Sequence, residues 1–229
     1  LSGWNSYYFN ADQTSFQGTF DGNGVVFYGV HNSSYHAGLF PKVSGTEVTI
    51  KNVTVASSYF NATGDAAGGL IGNVSATTVN IENCAVVNCY INGGTNVTRG
   101  SLAAQTSGTT TANINNCYIA GNLFDRADGD AQPIGGVIGS AYKYGNSITN
   151  IVALESPFTY HPQGLNCGIN DPDAGANTWS NIYVSMDPLD LEEVVAYDTS
   201  KNNPYRDFTE IATNVTDWTD ASQLTGLTD

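Results

Sequence analysis

Apolar positions between residues 16 and 184 fall into short runs that recur in phase. One segment appears five times: Val48-Thr-Ile-Lys-Asn-Val-Thr-Val55, Val79-Asn-Ile-Glu-Asn-Cys-Ala-Val86, Ala112-Asn-Ile-Asn-Asn-Cys-Tyr-Ile119, Asn146-Ser-Ile-Thr-Asn-Ile-Val-Ala153 and Asn177-Thr-Trp-Ser-Asn-Ile-Tyr-Val184. A looser copy precedes them at Val25-Val-Phe-Tyr-Gly-Val30. The central apolar residues are then Phe27, Ile50, Ile81, Ile114, Ile148 and Trp179, at steps of 23, 31, 33, 34 and 31 residues.

A second segment lies upstream of each copy: Gly38-Leu39-Phe40, Gly69-Leu70-Ile71-Gly72, Ser101-Leu102-Ala103, Gly136-Val137-Ile138-Gly139 and Gly164-Leu165. One such unit cannot bury its apolar face alone, whereas stacked units can, so the repeat predicts a solenoid. The runs are short and β-branched, with Gly, Asn, Asp and Ser between them. No helical periodicity of useful length occurs in residues 1–155. The expected fold is all-β: a parallel β-helix of about five to six rungs, right-handed by fold precedent, with a C-terminal cap. Residues 1–184 form the repeat domain, with 1–30 as its N-terminal rung or cap and 31–184 as the repeats. Residues 185–229 form a cap or linker segment of the same domain. Asp187-Pro188 resembles a helix start there.

Within each copy the alternation slips by one residue, which requires a bend. The bend residue is Asn52, Asn83, Asn116, Asn150 or Asn181, and Gly29 in the looser copy. Asn and Gly best tolerate the left-handed α region, so this column is expected at positive φ in a tight corner. Its stacked amides are expected to hydrogen-bond along the solenoid.

Composition narrows the function. The 229-residue chain has formal charge −14, with 21 acidic and 7 basic residues, and only 12% of its residues are charged. That argues against sequence-independent nucleic-acid binding, which needs Lys and Arg. It also argues against docking on anionic membranes, and no apolar stretch is long enough to span a bilayer. Residues 156–229 hold twelve of the carboxylates and five of the seven prolines. The chain opens on Leu1 rather than Met, which suggests a fragment or a mature form.

The residues Phe16-Gln-Gly-Thr-Phe-Asp-Gly-Asn-Gly24, Ala37-Gly-Leu-Phe40 and Gly68-Gly-Leu-Ile-Gly72 with Ile81-Glu-Asn-Cys84 resemble the GLUG-motif repeats of bacterial and archaeal surface proteins. The same pattern occurs beside the catalytic domain of IgA-specific metallopeptidases of Gram-positive bacteria. The likeness covers residues 16–155 and, more weakly, reaches 184; Ser101-Leu-Ala-Ala departs from the glycine pattern. It implies a secreted or cell-surface β-solenoid, often one part of a longer chain, and it implies no catalytic residues.

The residues themselves offer little chemistry. His31, His36 and His161 lack zinc-ligand spacing, and Cys84 and Cys89 have no matching second pair. No G-x-S-x-G occurs, and residues 18–24 lack the lysine of a phosphate loop. The one acidic cluster of the repeat region, Asp125, Asp128 and Asp130, is a candidate calcium loop or carboxylate pair, set against a plain solvated loop between rungs. Tyr7, Tyr8 and Phe9 are candidates to cover the N-terminal end. Six N-x-S/T sequons are no more than this composition yields by chance.

Cys84 and Cys117 share an inward column with Val53, Ile151 and Ile182. Adjacent rungs bring such residues within disulfide range, but parallel stacked side chains do not offer the required dihedral. The packing argument favours two buried thiols, against an extracellular setting that favours oxidation. The expected function is a non-catalytic extracellular module of a microbial surface protein: an adhesin, a stalk or an interaction surface without cofactors. Host or neighbouring-cell glycans or proteins would be its partners. A carbohydrate-binding or polysaccharide-degrading β-helix is the alternative.

Overall fold

The computed structural model describes residues 15–125, 134–141, 145–154, 164–166, 178–184, 213–214 and 219–224. Among these there is no α-helix; one four-residue 3-10 turn, Ala221–Leu224, is the only helical element. Among the described residues no helix is long and apolar enough to cross a membrane. All other regular structure is parallel strand.

Six stretches of strand stack in one ladder. They are Phe16–Tyr28, Phe40–Ala56, Ile71–Glu82 continued by Ala85–Val87, Thr111–Ala120, Ser147–Ala153 and Thr178–Val184. Ile50, Ile81, Ile114, Ile148 and Trp179 occupy one column of this ladder. The four isoleucines are buried, because each inward residue packs on its neighbours one rung away. A second set of strands closes the coil: His31–Ala37 on Tyr59–Gly68, which in turn pairs with Tyr90–Gly93 and Thr98–Gly100. The coil is a β-solenoid of about four turns. The expected five to six rungs correspond to the six strands of the corner ladder. Residues 155–177 lie almost wholly outside the described residues.

The Gly-Leu segments also stack. Phe40, Ile71, Ala103 and Ile138 are in register, and Leu39, Leu70, Leu102 and Val137 are buried beside them. The turn into this segment requires glycine by space. A Cβ on Gly68, Gly100 or Gly135 would lie 1.9, 2.1 or 1.8 Å from the carbonyl oxygen three residues on, a backbone atom that cannot give way.

The first rung differs from its sequence alignment. Phe20, not Phe27, pairs with Ile50, while Phe27 pairs with Val55. The first step is therefore 30 residues rather than 23, because Val25–Tyr28 pairs with the limb after the corner, 53–56, and not with the limb before it. Gly29 accordingly leaves the Asn52 column. It precedes the second strand set together with Ser57, Asn88 and Gly121, all at positive φ, in a second corner column. The corner of the first rung is instead a bulge between Asp21 and Val25, with Asn23 at φ 50° and Gly24 at φ 80°.

The core at this end is filled by rings. Phe16 and Phe20 each lie 5.2 Å from Phe40, and Phe20 lies 6.3 Å from Phe27. Large half-buried rings close an end where a further rung would otherwise pack. At the other end Thr213–Asn214 adds to Thr178–Val184 in parallel. The remainder of the expected C-terminal cap, including Asp187-Pro188, lies outside the described residues, as do Tyr7, Tyr8 and Phe9.

Candidate interaction surface

The corner divides each ladder strand into two limbs with different outer faces. Before the corner the outward side chains are polar: Thr49 and Lys51, Asn80 and Glu82, Asn113 and Asn115. After the corner the inward residues remain apolar, and the outward ones, Thr54 apart, are apolar or aromatic too. Val26, Thr54, Ala85, Tyr118, Val152 and Tyr183 form one outward row. Tyr28, Ala56, Val87 and Ala120 form the next. No charged residue occurs at positions 25–28, 53–56, 84–87, 117–120, 151–154 or 182–184.

Three residues of this outer sheet face are open to solvent, and most of the others are half-buried. Tyr28 is 75% exposed, Val26 56% and Tyr118 38%. The same face is covered at its far end, where Tyr183 is 3% exposed despite its outward register. Exposed aromatic and aliphatic side chains beside a polar face are the kind of surface on which protein contacts form.

The corner column forms the border of this strip. Asn52, Asn83, Asn116, Asn150 and Asn181 have φ between 52° and 57°. Their amides run in one direction. Asn83 donates to Asn52 at 3.1 Å, Asn116 to Asn83 at 2.6 Å and Asn181 to Asn150 at 2.8 Å. The series is dislocated once: Asn150 donates to Asn115 at 2.8 Å instead of to Asn116. It ends on a carboxylate, since Asn52 donates to Asp21 at 2.8 Å. That bond, the Asn23 amide and nearby Lys51 hold the Asp21 carboxyl below its ordinary range. A shorter ladder on the polar limb has the same design: Asn113 donates to Asn80 at 2.9 Å, and Asn80 to Glu47 at 2.8 Å.

The remaining candidates are spread around the coil. Cys84 and Cys117 are free thiols in the inward column, and Cys89, between strands, is buried as well. Burial pushes Cys84 and Cys89 up to about 11 and Cys117 higher still, so none is a ready nucleophile. Cys167 and His161 lie outside the described residues. Asp125 accepts a hydrogen bond from the Tyr90 hydroxyl at 2.5 Å, and burial with this carboxylate pushes the Tyr90 phenol up to about 12. Its cluster mates Asp128 and Asp130 lie outside the described residues. Tyr90 and Tyr59 stack at 5.3 Å and 5°, so each ring covers one face of the other. That leaves less ring surface for a sugar. His31 meets Tyr59 edge-on, whereas His36 Nδ1 lies 2.9 Å from Asp65 Oδ1. This His–Asp pair is half of a nucleophile-activating arrangement. Ser34, nearby on the same strand, directs its hydroxyl to Asn32 Oδ1 and the His36 carbonyl rather than to the imidazole.

The outer strip was not identified from the sequence, although its signal is there. The segments Cys84-Ala-Val-Val87, Cys117-Tyr-Ile-Ala120 and Ile151-Val-Ala-Leu154 do not alternate. Continuous apolar runs are the mark of strands that meet apolar surroundings on both faces. No family model, curated protein or solved structure matches the chain.

Proposed function

We propose that this chain is a non-catalytic extracellular β-solenoid module of a microbial surface protein, and that it works as an interaction surface through its charge-free outer limb. The observation that carries the reading is the outward apolar row containing Val26, Ala85 and Tyr118 on a rigid parallel ladder. A stacked ladder holds such a row flat and at a fixed repeat of about 4.8 Å, which favours docking of another ordered surface. The likeness of residues 16–155 to GLUG-motif repeats and the low charge content support a secreted, cell-surface setting within a longer chain.

Beads coated with the chain provide the test, read as adhesion to cells and to purified surface and matrix proteins. Adhesion should fall at least about tenfold in Tyr118→Glu, whose outward position leaves the core untouched. Depolymerisation of a polysaccharide by the purified chain, abolished by Asp125→Ala, would replace this reading with the carbohydrate-active one.

A further inference from the structure

We propose that Asn23 is a self-modification site: the backbone nitrogen of Gly24 displaces its side-chain amide, and the first corner of the solenoid gains a carboxylate. The inference is independent of the interaction-module reading.

The chemistry needs an asparagine followed by a residue whose nitrogen can reach its side chain. Glycine serves best, because it puts no Cβ beside the attacking nitrogen. The Gly24 nitrogen gives up its proton to hydroxide and bonds to Asn23 Cγ. Nδ2 leaves as ammonia, and a five-membered imide remains. Water then opens the imide at either carbonyl. One opening yields aspartate; the other yields isoaspartate, in which the main chain runs through Cγ. One water enters and one ammonia leaves.

The chain holds two Asn-Gly pairs, Asn23-Gly24 and Asn92-Gly93, and the fold separates them. Asn23 is exposed in the bulge between Asp21 and Val25. Its backbone N–H donates to Asp21 Oδ1 at 2.9 Å, but its carboxamide makes no hydrogen bond among the described residues and is free to turn. A Cβ on Gly24 would meet nothing within 4 Å, so the peptide joining the pair has room to rotate.

Asn92-Gly93 ends the strand Tyr90–Gly93, in register with Asn61 and Ala62. The Gly93 N–H donates to Asn92 Oδ1 at 2.5 Å. A nitrogen that points its N–H at Oδ1 turns its reactive face away from Cγ. The Arg99 guanidinium donates to the Gly93 carbonyl at 3.0 Å and the Val97 side chain packs against Gly93, so the peptide is held in that position. Reaction there waits on local opening of the rung.

The product alters the first rung. A carboxylate at position 23 repels Asp21, the acceptor on which the corner amides end, with Lys51 as the nearby cation. Isoaspartate also adds a main-chain carbon to the bulge that sets Val25–Tyr28 against 53–56. Either form puts a charge next to Val25 and Val26, at the end of the otherwise charge-free strip.

Peptide mapping of the native chain held in mildly alkaline buffer tests this, with fragmentation that separates isoaspartate from aspartate. The expected first product is a gain of about 1 Da at residues 23–24. Asn23 should convert at least about tenfold faster than Asn92 in the folded chain, and the two rates should converge in urea, where no ladder protects Gly93. Asn23→Gly, which suits φ 50°, should abolish the early gain with unchanged circular dichroism. A first gain at Asn92, an early gain that survives Asn23→Gly, or a rate ratio that persists in urea overturns the proposal. So does a native chain that gains no mass.

Discussion

Asp21 Oδ1 lies 2.8 Å from Asn52 Nδ2 and is the acceptor on which the corner ladder of amides ends. An amide has a donor and an acceptor, so a stacked column of Asn is polar along the solenoid. Its N-terminal end presents a donor that needs a final acceptor. A carboxylate has acceptors alone and so terminates the series on an acceptor.

Replacing Asp21 by Ala should lower the melting temperature modestly at pH 7, and less at low pH. The sign follows from the depressed folded-state pKa, relative to an ordinary value of 3.8. The stabilisation is present above the ordinary value and is lost as pH falls through the folded one. Thermal melts of both proteins from pH 7 to pH 2 should therefore converge at the acid end. A gap that widened towards low pH would contradict this role.

Asn83 separates conformation from hydrogen bonding. It sits at φ 52°, donates to Asn52 and accepts from Asn116. Asn83→Gly loses the amide contacts but suits the backbone; Asn83→Ala loses both. Left-handed backbone costs an ordinary residue about 1–2 kcal/mol. Urea unfolding should rank wild type above Asn83→Gly and Asn83→Ala last. Equal losses would mean that the corner is held by hydrogen bonds alone.

The described cysteines should be silent in the folded protein. Cys84, Cys89 and Cys117 are buried, and their thiols titrate well above neutrality. A thiol reagent at pH 8 should label them only as fast as the chain unfolds. Intact mass after alkylation under denaturing conditions, with and without reductant, checks the pairing. A loss of about 2 Da mapped to Cys84–Cys117 would show that oxidation overcame the packing geometry.

His36 should make the protein less stable in mild acid. Burial depresses its pKa below 6.5, Asp65 opposes this and Lys42 adds to it. The unfolded chain then binds the proton more readily, so stability is full above 6.5 and declines as pH falls from there towards the folded value. Chemical denaturation at pH 7.5 and pH 5.5 should show the loss, and His36→Gln should reduce it. The opposite slope would mean that Asp65 outweighs burial.

Much of the fold was legible in sequence because its determinants are local. Inward apolar alternation and an Asn able to adopt positive φ are properties of single positions. Repetition at a near-constant period then specifies the stacking of Ile50, Ile81, Ile114 and Ile148. Register at the first rung was not legible. Val25-Val-Phe-Tyr-Gly-Val30 resembles a pre-corner limb in pattern, and only pairing against 53–56 shows that it follows the corner. The same holds for Gly29, since either corner column accepts a glycine. The dislocation at Asn115 was hidden as well, because Asn115 and Asn116 are chemically identical and rung-to-rung geometry alone selects between them. The outer strip belongs to both levels. The sequence by itself determined that residues 53–56, 84–87 and 117–120 carry no charge on either face and are apolar apart from Thr54. Tertiary structure decided that Val26 and Tyr118 are open to solvent, with Ala85 half-buried between them, while Tyr183 is covered, because exposure depends on what the chain brings over a face.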